Sequence, residues 1–362
     1  MKASPFSRCE LVVNPSRYPE YVKKLRRILK RFSFARVVET QSREHFTEEV
    51  RAFARGENDA LLVWGGDGTA HTAINALVRA EADGADVTGK AVGFLRGGTG
   101  NGIQDSYSVP YRILSQLNAY EESLSAGYRI GVDLLEINDG ARVSYGQLLG
   151  LGFDVRVLRQ REHREKKGWN AGGMLRYILA GLSVFTSPRE RWCEPVTLSL
   201  FDGKFAFSGT RVNAEFTFSH LDRNVAPAMI EAGTRPFYGK LFKVCPDVVC
   251  NDGHIDLYIY DIRRKVTVLR HIASLWEGHH GQVNKRLLRS GQGLIERYEL
   301  NRLQIENDDG FAYHVDGELR QSVPSADGRH LVTIQVLPER LNVIVPPVFF
   351  RLFHPFDFMI SR

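Results

Sequence analysis

The chain has 362 residues, of which 43% are hydrophobic and 25% are charged, so it can bury a large core without disulfide or metal staples. This composition excludes an intrinsically disordered chain, and the length predicts two domains. The four cysteines have neither metal-ligand nor disulfide-framework spacing. The N-terminus has no apolar signal core, and no apolar run approaches 18 residues. We therefore expect a cytoplasmic protein in which Cys245 and Cys250 are packing residues.

The net charge of +6 suits acidic partners, which are nucleotide phosphates, nucleic acid or anionic lipid. Basic residues cluster between Arg156 and Lys167, where six of them occur with only two glutamates. This run is interpreted as a solvated helix face, or alternatively as a patch that docks transiently on an anionic membrane. Aromatic residues are not interleaved with the basic ones, so we expect no nucleic-acid partner.

The first third of the chain alternates short apolar runs with amphipathic runs. The predicted strands cover 9–14, 35–40, 60–64 and 91–95, and the predicted helices cover 18–34, 45–55 and 70–81. An alternating order of strands and helices predicts a parallel sheet with helices packed on it.

Two glycine loops follow the third and fourth of these strands. The first reads Gly65-Gly66-Asp67-Gly68-Thr69, and the second reads Gly97-Gly98-Thr99-Gly100-Asn101. Loops that follow parallel strands open at the same edge of the sheet, and a glycine loop before a helix N-terminus is a typical phosphate site. Neither loop has the spacing of a Walker A motif or of a dinucleotide fingerprint. Taken alone, the first loop could also be an ordinary turn.

After about residue 128 the pattern changes to short alternating runs that are typical of antiparallel strands. The predicted strands there cover 131–137, 196–200, 204–207, 330–337 and 341–345, and the predicted helices cover about 171–186 and 264–289. The fold class is therefore predicted as α/β, with an N-terminal parallel-sheet nucleotide domain and a mostly antiparallel, β-rich C-terminal domain.

An ordered set of motifs resembles the diacylglycerol kinase catalytic-domain family, which includes bacterial lipid kinases, sphingosine kinases and ceramide kinases. The set, over roughly residues 10–346, comprises Asn14-Pro15, the two glycine loops, Gly150-Leu151-Gly152-Phe153-Asp154, Asp252-Gly253-His254-Ile255-Asp256 and Asp316-Gly317-Glu318. The resemblance implies an NAD kinase-like nucleotide domain of residues 1–128, to which residues 338–362 return. It implies a β-rich substrate domain over residues 129–337.

The resemblance also implies ATP and Mg²⁺ as cofactors. The residues around ATP would be Asn14, Thr40, Gly65, Gly66, Gly68, Thr69, Gly98, Thr99 and Asn101. Asn101 would brace the second loop, and Asp67 would hold Mg²⁺ directly or through water, since Mg²⁺ prefers carboxylate oxygens. Strand-end capping is the alternative role for Asn14, Thr40 and Asn101.

Phosphoryl transfer needs a base within hydrogen-bond reach of the acceptor hydroxyl. The resemblance favours Glu318 as that base and Asp316 as its electrostatic or metal-water partner, with Asp67 as the competing candidate. A plain hairpin turn is the alternative for Asp316-Gly317-Glu318. Asp154 would recognise the lipid head group, or be part of a structural turn.

A second, structural Mg²⁺ is implied in the C-terminal domain. By resemblance, the carboxylate of Asp252 and the backbone carbonyls of Val249 and His254 would bind it. The alternative is a simple turn, because Asp252-Gly253 also has the composition of a hairpin loop.

Two positions depart from the family pattern. Bacterial relatives continue the first loop with Asn-Glu, where this chain has His71-Thr72, and they end the second loop with Asn-Asp, where this chain has Asn101-Gly102. Two polar partners are therefore missing beside the predicted site.

The predicted function is an ATP-dependent lipid kinase that phosphorylates a diacylglycerol-like or sphingoid hydroxyl at the membrane surface. The alternatives are an NAD kinase-type enzyme and a catalytically weak protein that binds lipid or nucleotide. The phenylalanines of residues 349–358 are predicted to pack on the N-terminal domain, or alternatively to anchor the protein in lipid. No pattern indicates an oligomeric state.

Overall fold

A computed structural model describes residues 4–15, 19–167, 174–187, 192–208, 211–212, 216–239, 241–291, 293–325 and 327–354. The chain divides into two compact units. Unit 1 comprises Met1–Val132 and Glu339–Arg362, and unit 2 comprises Asp133–Pro338.

The strands and helices are numbered in chain order. The strands are β1 (Cys9–Val13), β2 (Arg36–Glu39), β3 (Ala60–Gly65), β4 (Ala91–Arg96), β5 (Arg129–Asn138), β6 (Val143–Gly146), β7 (Leu148–Gly152), β8 (Val196–Ser208), β9 (Arg211–Val212), β10 (Thr217–Val225), β11 (Met229–Gly233), β12 (Phe237–Gly239), β13 (Phe242–Lys243), β14 (Ile255–Tyr260), β15 (Ile295–Asn307), β16 (Ala312–Val315), β17 (Glu318–Gln321) and β18 (His330–Ile344). The helices are α1 (Pro19–Leu29), α2 (Arg43–Arg55), α3 (Asp67–Ala82), α4 (Gly102–Ser106), α5 (Ile113–Ala126), α6 (Phe153–Lys166), α7 (Met174–Thr186), α8 (Lys265–Trp276), α9 (His280–Arg289) and α10 (Pro347–Phe353).

The sheet of unit 1 is parallel, as the sequence pattern predicts. Its strands lie in the order β2-β1-β3-β4, and the end of β18 pairs with β4 in the same direction. The register places Val63 beside Val12 and Phe94 beside Val63. Every residue of β1 and β3 is buried, which is the pattern of strands covered by helices on both faces.

Helix α3 begins at Asp67, so the prediction that it starts at residue 70 is wrong by three residues. Gly66 is its N-cap residue, and the carbonyl of Gly66 accepts hydrogen bonds from the N–H groups of Thr69 and Ala70. The first glycine loop is therefore largely the opening turn of a helix.

Unit 2 contains an antiparallel sheet in the order β17-β16-β7-β11-β14-β15-β18, and β8 pairs with both β15 and β10. Its core is formed by inward residues of the central strands, such as Leu149, Ile230, Leu257, Leu300 and Ile334. Helices α8 and α9 belong to a second cluster, which includes Val268, Leu275, Val283 and Leu287. The predicted fold class is confirmed by these two arrangements.

Three predicted boundaries in unit 2 are wrong. The two short strands predicted within 196–207 are one strand, β8, in which Asp202 adopts a positive φ of 49°. The helix predicted over 264–289 is two helices, because Gly278 takes a φ of 78° between them. The last two predicted strands are continuous in β18, where Pro338 does not interrupt the strand. The first residues of the helix predicted over 171–186 lie outside the described residues.

In the part of the chain that the structure describes, no helix has both the length and the apolar character that crossing a bilayer requires. Cys245 and Cys250 are buried, as expected of packing residues. The two phenylalanines at the start of the predicted aromatic tail pack within unit 1, with Phe349 against Tyr107 and Phe350 stacked on Tyr128. Phe356 and Phe358 lie outside the described residues.

Candidate functional site

The two glycine loops of unit 1 lie directly against each other. The N–H of Gly97 donates to the carbonyl of Gly65 at 2.8 Å. A Cβ built on Gly98 would lie 2.3 Å from the Cα of Gly66, and one on Gly97 would lie 2.9 Å from the Cα of Gly65. Any side chain at these positions would separate the loops. The glycines are therefore required by contact between the loops, whereas the sequence pattern had indicated a phosphate site or an ordinary turn.

The start of α3 presents main-chain donors without a capping side chain. Its N-cap residue is Gly66, which has no side chain, so the usual capping hydrogen bond from an N-cap side chain is not made. The next residue, Asp67, accepts a hydrogen bond at Oδ1 from the N–H of Ile103, in the first turn of α4. Asp67 thus caps the neighbouring helix and is held at the mouth of the first loop. An uncapped helix N-terminus of this kind attracts anions, including phosphate.

The predicted nucleotide residues at the strand ends already have partners within the protein. The amide of Asn14 donates to Thr69 Oγ1 at 3.0 Å, which ties the end of β1 to the first turn of α3. The hydroxyl of Thr40 donates to the carbonyl of Val13 at 3.2 Å. This contact corresponds to strand-end capping, the alternative role considered for Thr40. Gly68 is exposed and Thr99 is half-buried, so both can meet a ligand.

The second loop is braced by Asn101, as predicted. Its Oδ1 accepts from the N–H of Gly98 at 3.0 Å, and its Nδ2 donates to the Gly98 carbonyl at 2.7 Å. Asn101 has a φ of 60°, a left-handed conformation that asparagine tolerates better than most residues.

A buried glutamine that sequence reasoning missed joins the two loops. Gln104 Nε2 lies 3.2 Å from the carbonyl of Gly65 and 3.3 Å from that of Leu95, so it bridges the ends of β3 and β4. The signal that could have found it is a polar residue on a short helix that starts directly after a glycine loop.

The two departures from the family pattern have different surroundings. The hydroxyl of Thr72 donates to the carbonyl of Gly68 at 2.8 Å, inside the first turns of α3. His71 is buried on the other side of the helix, with Asn75 Nδ2 3.3 Å from its Nε2. Gly102 is buried at the start of α4 and, because it is a glycine, has no side chain to place beside the loops. Neither Thr72 nor Gly102 supplies a carboxylate beside the loops.

In unit 2, Asp316 and Gly317 form the two-residue turn of the hairpin β16–β17. Both have positive φ, 50° and 85°, as a tight hairpin turn requires. The side chain of Asp316 is fully buried, and its Oδ1 lies 3.0 Å from Nη2 of the equally buried Arg235. Glu318 follows as the half-buried first residue of β17. Sequence reasoning missed Arg235, which orders this turn.

Asp154 lies in a buried cluster with Glu231 and His314. His314 Nε2 is 2.5 Å from Asp154 Oδ2, and one ligand atom of each residue lies within 4.8 Å of the others. A Cβ on Gly150 would lie 2.3 Å from both of those atoms, so only glycine fits beside the cluster. His314 Nδ1 accepts from the N–H of Gly317 at 3.3 Å, and its Nε2 faces Asp154. Asp154 and His314 therefore form a close buried pair beside Glu231.

Glu231 is the second carboxyl group of this cluster. Among the residues that the structure describes, neither of its buried oxygens has a hydrogen-bond partner. Burial, and secondly the charge of Asp154, raise the pKa of Glu231 well above its usual value, against the opposing charge of Arg235. Glu231 therefore keeps its proton in the folded protein at pH values at which an exposed glutamate begins to ionise.

We expect Glu231→Gln to stabilise the protein increasingly as pH rises. Glutamine resembles the protonated acid and does not titrate. In the wild type, the pKa of Glu231 is higher in the folded state than in the unfolded state, where it is about 4.3, so the folded protein loses stability as the pH rises above that value. The loss is about 1.4 kcal/mol per pH unit until the folded pKa is reached. Thermal unfolding from pH 5 to pH 8 measures the difference, with Glu57→Gln, an exposed position in unit 1, as the control. Parallel curves for wild type and Glu231→Gln would contradict the assignment.

The predicted second metal site lies in the turn before β14. Asp252 Oδ1 accepts from the N–H of His254 at 3.1 Å, and the buried Asp133 fixes the turn by accepting from the N–H of Gly253 at 2.8 Å. Val249 is exposed. A carboxylate and main-chain carbonyls in a fixed turn are oxygen ligands of the type that Mg²⁺ takes, so the residues fit such an ion.

A cavity of about 610 Å³ in unit 1 lies away from the glycine loops. It is lined by residues that precede β3 and β4, including Asn58, Asp59, Thr88 and Lys90. Because these are the amino ends of the strands, the cavity is at the sheet edge opposite to the loops. The Nζ of Lys90 donates there to the carbonyls of Gly56 and Asn58, which ties the cavity wall together.

The parallel unit with its glycine loops and the antiparallel unit correspond to the two domains that two family models describe. The model of the diacylglycerol kinase catalytic domain matches residues 11–132. The model of the YegS C-terminal NAD kinase beta sandwich-like domain matches residues 151–345. The chain therefore belongs to the diacylglycerol kinase and YegS family of lipid kinases, and the predicted resemblance is confirmed.

Individual relatives are similar over most of the chain. A diacylglycerol kinase of Mycobacterium tuberculosis (strain ATCC 25618 / H37Rv) is 25% identical over 277 residues, which are 76% of this chain and 77% of that protein. The lipid kinase YegS of Escherichia coli (strain K12) is 24% identical over 59% of this chain and 60% of its own. A crystal structure of a diacylglycerol kinase from Bacillus anthracis str. Sterne aligns with a TM-score of 0.62 at 17% identity, over 95% of this chain and 98% of that chain.

Proposed function

We propose that the protein transfers the γ-phosphoryl group of ATP to a hydroxyl of a lipid, with diacylglycerol as the first candidate and a sphingoid base as the second. The observation that supports this most is the pair of glycine loops in main-chain contact, with Asp67 fixed between the start of α3 and the start of α4. This arrangement offers main-chain donors for phosphate oxygens and one carboxylate beside them.

Within unit 1, each group would have a separate task. The N–H groups at the start of α3 and in the second loop would bind phosphate oxygens, and the bracing by Asn101 and Gln104 would keep the loops in place. Asp67 would hold Mg²⁺, which when bound neutralises charge on the phosphates. Asn14 would support Thr69, which lies in the turn that meets the nucleotide.

Within unit 2, Glu318 is the proposed base for the acceptor hydroxyl. Asp316 is the weaker candidate, because its carboxylate is buried and already paired with Arg235. Its proposed role is to fix the turn and supply negative charge behind Glu318. Asp154, paired with His314 beside Gly150, is the proposed head-group contact. Asp252, with the carbonyls of Val249 and His254, would hold the structural ion that stabilises this unit.

One experiment separates this proposal from its rivals. The purified protein is incubated with radiolabelled ATP and Mg²⁺, and is offered diacylglycerol, sphingosine or NAD in separate mixed micelles. Label in a lipid product is the expected result. Label in NAD alone would assign the protein to the NAD kinase type. Intact ATP with every acceptor, together with saturable nucleotide or lipid binding, would favour a catalytically weak binding protein, for which Thr72 and Gly102 are the structural reasons.

A further inference from the structure

The outer side of α8 is apolar although it is exposed. Val266, Leu269 and Ile272 are 58%, 44% and 43% exposed. Because they are three residues apart on a helix, they lie along one side of it, and we name them the α8 stripe. The inner side of the same helix buries Val268 and Leu275 in the core of unit 2. A surface helix normally has a polar outer side, so an exposed apolar stripe indicates an interaction surface.

The stripe lies in a basic segment of the chain. Between Arg263 and Arg289 the sequence has seven lysine and arginine residues and one acidic residue, Glu277. The exposed basic residues of this segment are Arg264, Arg270, Lys285, Arg286 and Arg289, together with Arg263, which is paired with Asp261 at 3.2 Å. Helices α8 and α9 pack against each other, so these charges lie on two neighbouring helices of unit 2. The combination of an apolar stripe with basic neighbours matches an anionic lipid surface.

The helix is firmly attached, so its exposed side is a fixed feature of the fold. Lys265 Nζ donates to the carbonyls at the end of α7, among them that of Ser187 at 2.8 Å. Trp276, at the other end of α8, stacks on Phe242 with ring centroids 4.9 Å apart. Both ends of α8 are therefore held to unit 2, while the stripe between them is exposed.

We propose that the α8 stripe and the basic residues around it form the surface by which the protein docks on an anionic bilayer. A second copy of the chain fits this surface less well, because a symmetric contact would bring the same positive charges together. This inference rests on the proposed function, because docking on a bilayer serves an enzyme whose acceptor is a lipid at the bilayer surface. Docking itself can be measured without any kinase reaction.

The basic run on α6, which the sequence analysis considered for docking, is less suited to it. Arg156 donates to Glu194 at 2.7 Å and is only 11% exposed in its side chain. Arg161 lies 3.9 Å from Glu165 on the same helix. Arg159 donates to Gln321 at 3.0 Å. Several charges of this run thus have partners within the fold, which leaves fewer of them for an anionic surface.

The test compares vesicle binding of the full chain with that of a variant in which Val266, Leu269 and Ile272 are all replaced by glutamine. Glutamine keeps the helix propensity, and the positions are exposed, so folding should be preserved. Cosedimentation uses equimolar phosphatidylcholine and phosphatidylglycerol vesicles, with pure phosphatidylcholine vesicles for comparison. The control variant carries Val37→Gln and Val323→Gln, two exposed valines outside α8.

We expect the wild type and the control to bind the anionic vesicles, and the triple variant to bind them at least about tenfold more weakly, with weak binding of every form to the neutral vesicles. Arg264→Glu with Arg270→Glu should weaken binding as well. Undiminished binding by a folded triple variant would overturn the proposal, as would equal binding to both kinds of vesicle. Wild-type dimers in light scattering that the triple variant lacks would instead assign the stripe to a second copy.

Activity measurements keep this inference separate from the proposed function. With a short-chain diacylglycerol that dissolves as monomers, the triple variant should be as active as the wild type, and it should lose activity only when the acceptor is in vesicles. If the wild type binds anionic vesicles through the stripe but phosphorylates no acceptor, docking is retained and the proposed function fails.

Discussion

Asp67→Asn should lower the rate of lipid phosphorylation by about 10²-fold or more without unfolding the protein. The fold should be preserved because the asparagine side chain keeps the oxygen that accepts a hydrogen bond from the N–H of Ile103, and so still caps α4. The rate should fall because asparagine lacks the negative charge that would hold Mg²⁺. The variant should also require a higher Mg²⁺ concentration for half-maximal rate, which a purely structural role of Asp67 does not predict.

Two further variants make this prediction sharper. Asp67→Ala removes both the charge and the cap, so it should lose activity to the same extent and also about 1 kcal/mol of stability. Asp86→Asn, at an exposed carboxylate beside the opposite edge of the sheet, should change neither quantity. The measurements are initial rates over a Mg²⁺ series and thermal unfolding. A folded Asp67→Asn protein with full activity at low Mg²⁺ would contradict the role given to this carboxylate.

Local patterns predicted the parallel strands of unit 1 well, because strands buried on both faces are continuous apolar runs such as 60–64. The edge at which the loops meet also followed from the strand order. What the pattern could not supply is contact between the loops. The short distance between Gly98 and Gly66 depends on the packing of two neighbouring strands. The sequence has the same pattern of glycines whether a ligand or another loop requires them.

The buried polar partners of unit 2 were harder to predict. Arg235 follows β11 and Asp316 follows β16, so about 80 residues of sequence separate two atoms that are 3.0 Å apart. Glu231 and His314 likewise come from different strands, and each alone resembles an ordinary strand residue. Propensity and spacing describe neighbours along the chain, whereas these pairs result from how the antiparallel strands are ordered in the sheet. The motif search found Asp154, Asp316 and Glu318, but not the residues that hold them.

Arg235→Met should destabilise the protein by about 3–5 kcal/mol, which is the cost of leaving a buried carboxylate without its partner. Arg235 and Asp316 are both fully buried and form a 3.0 Å ion pair. Methionine has a similar length and fits an apolar site, so the loss would arise mainly from Asp316. Urea unfolding measures the free energy of unfolding, with Arg264→Met, at an exposed arginine, as the control that should stay within about 0.5 kcal/mol of the wild type.

The double variant tests whether the pair is the cause. Asparagine tolerates the positive φ of 50° at residue 316, so Asp316→Asn removes the charge while keeping the turn. Arg235→Met combined with Asp316→Asn should therefore be more stable than Arg235→Met alone, because no unpaired charge is left buried. If the double variant is as unstable as the sum of the single ones, the two side chains act independently. In that case Arg235 supports the turn through its other contact, the hydrogen bond to the carbonyl of Phe237, and Asp316 owes its position to the N–H of Gln147.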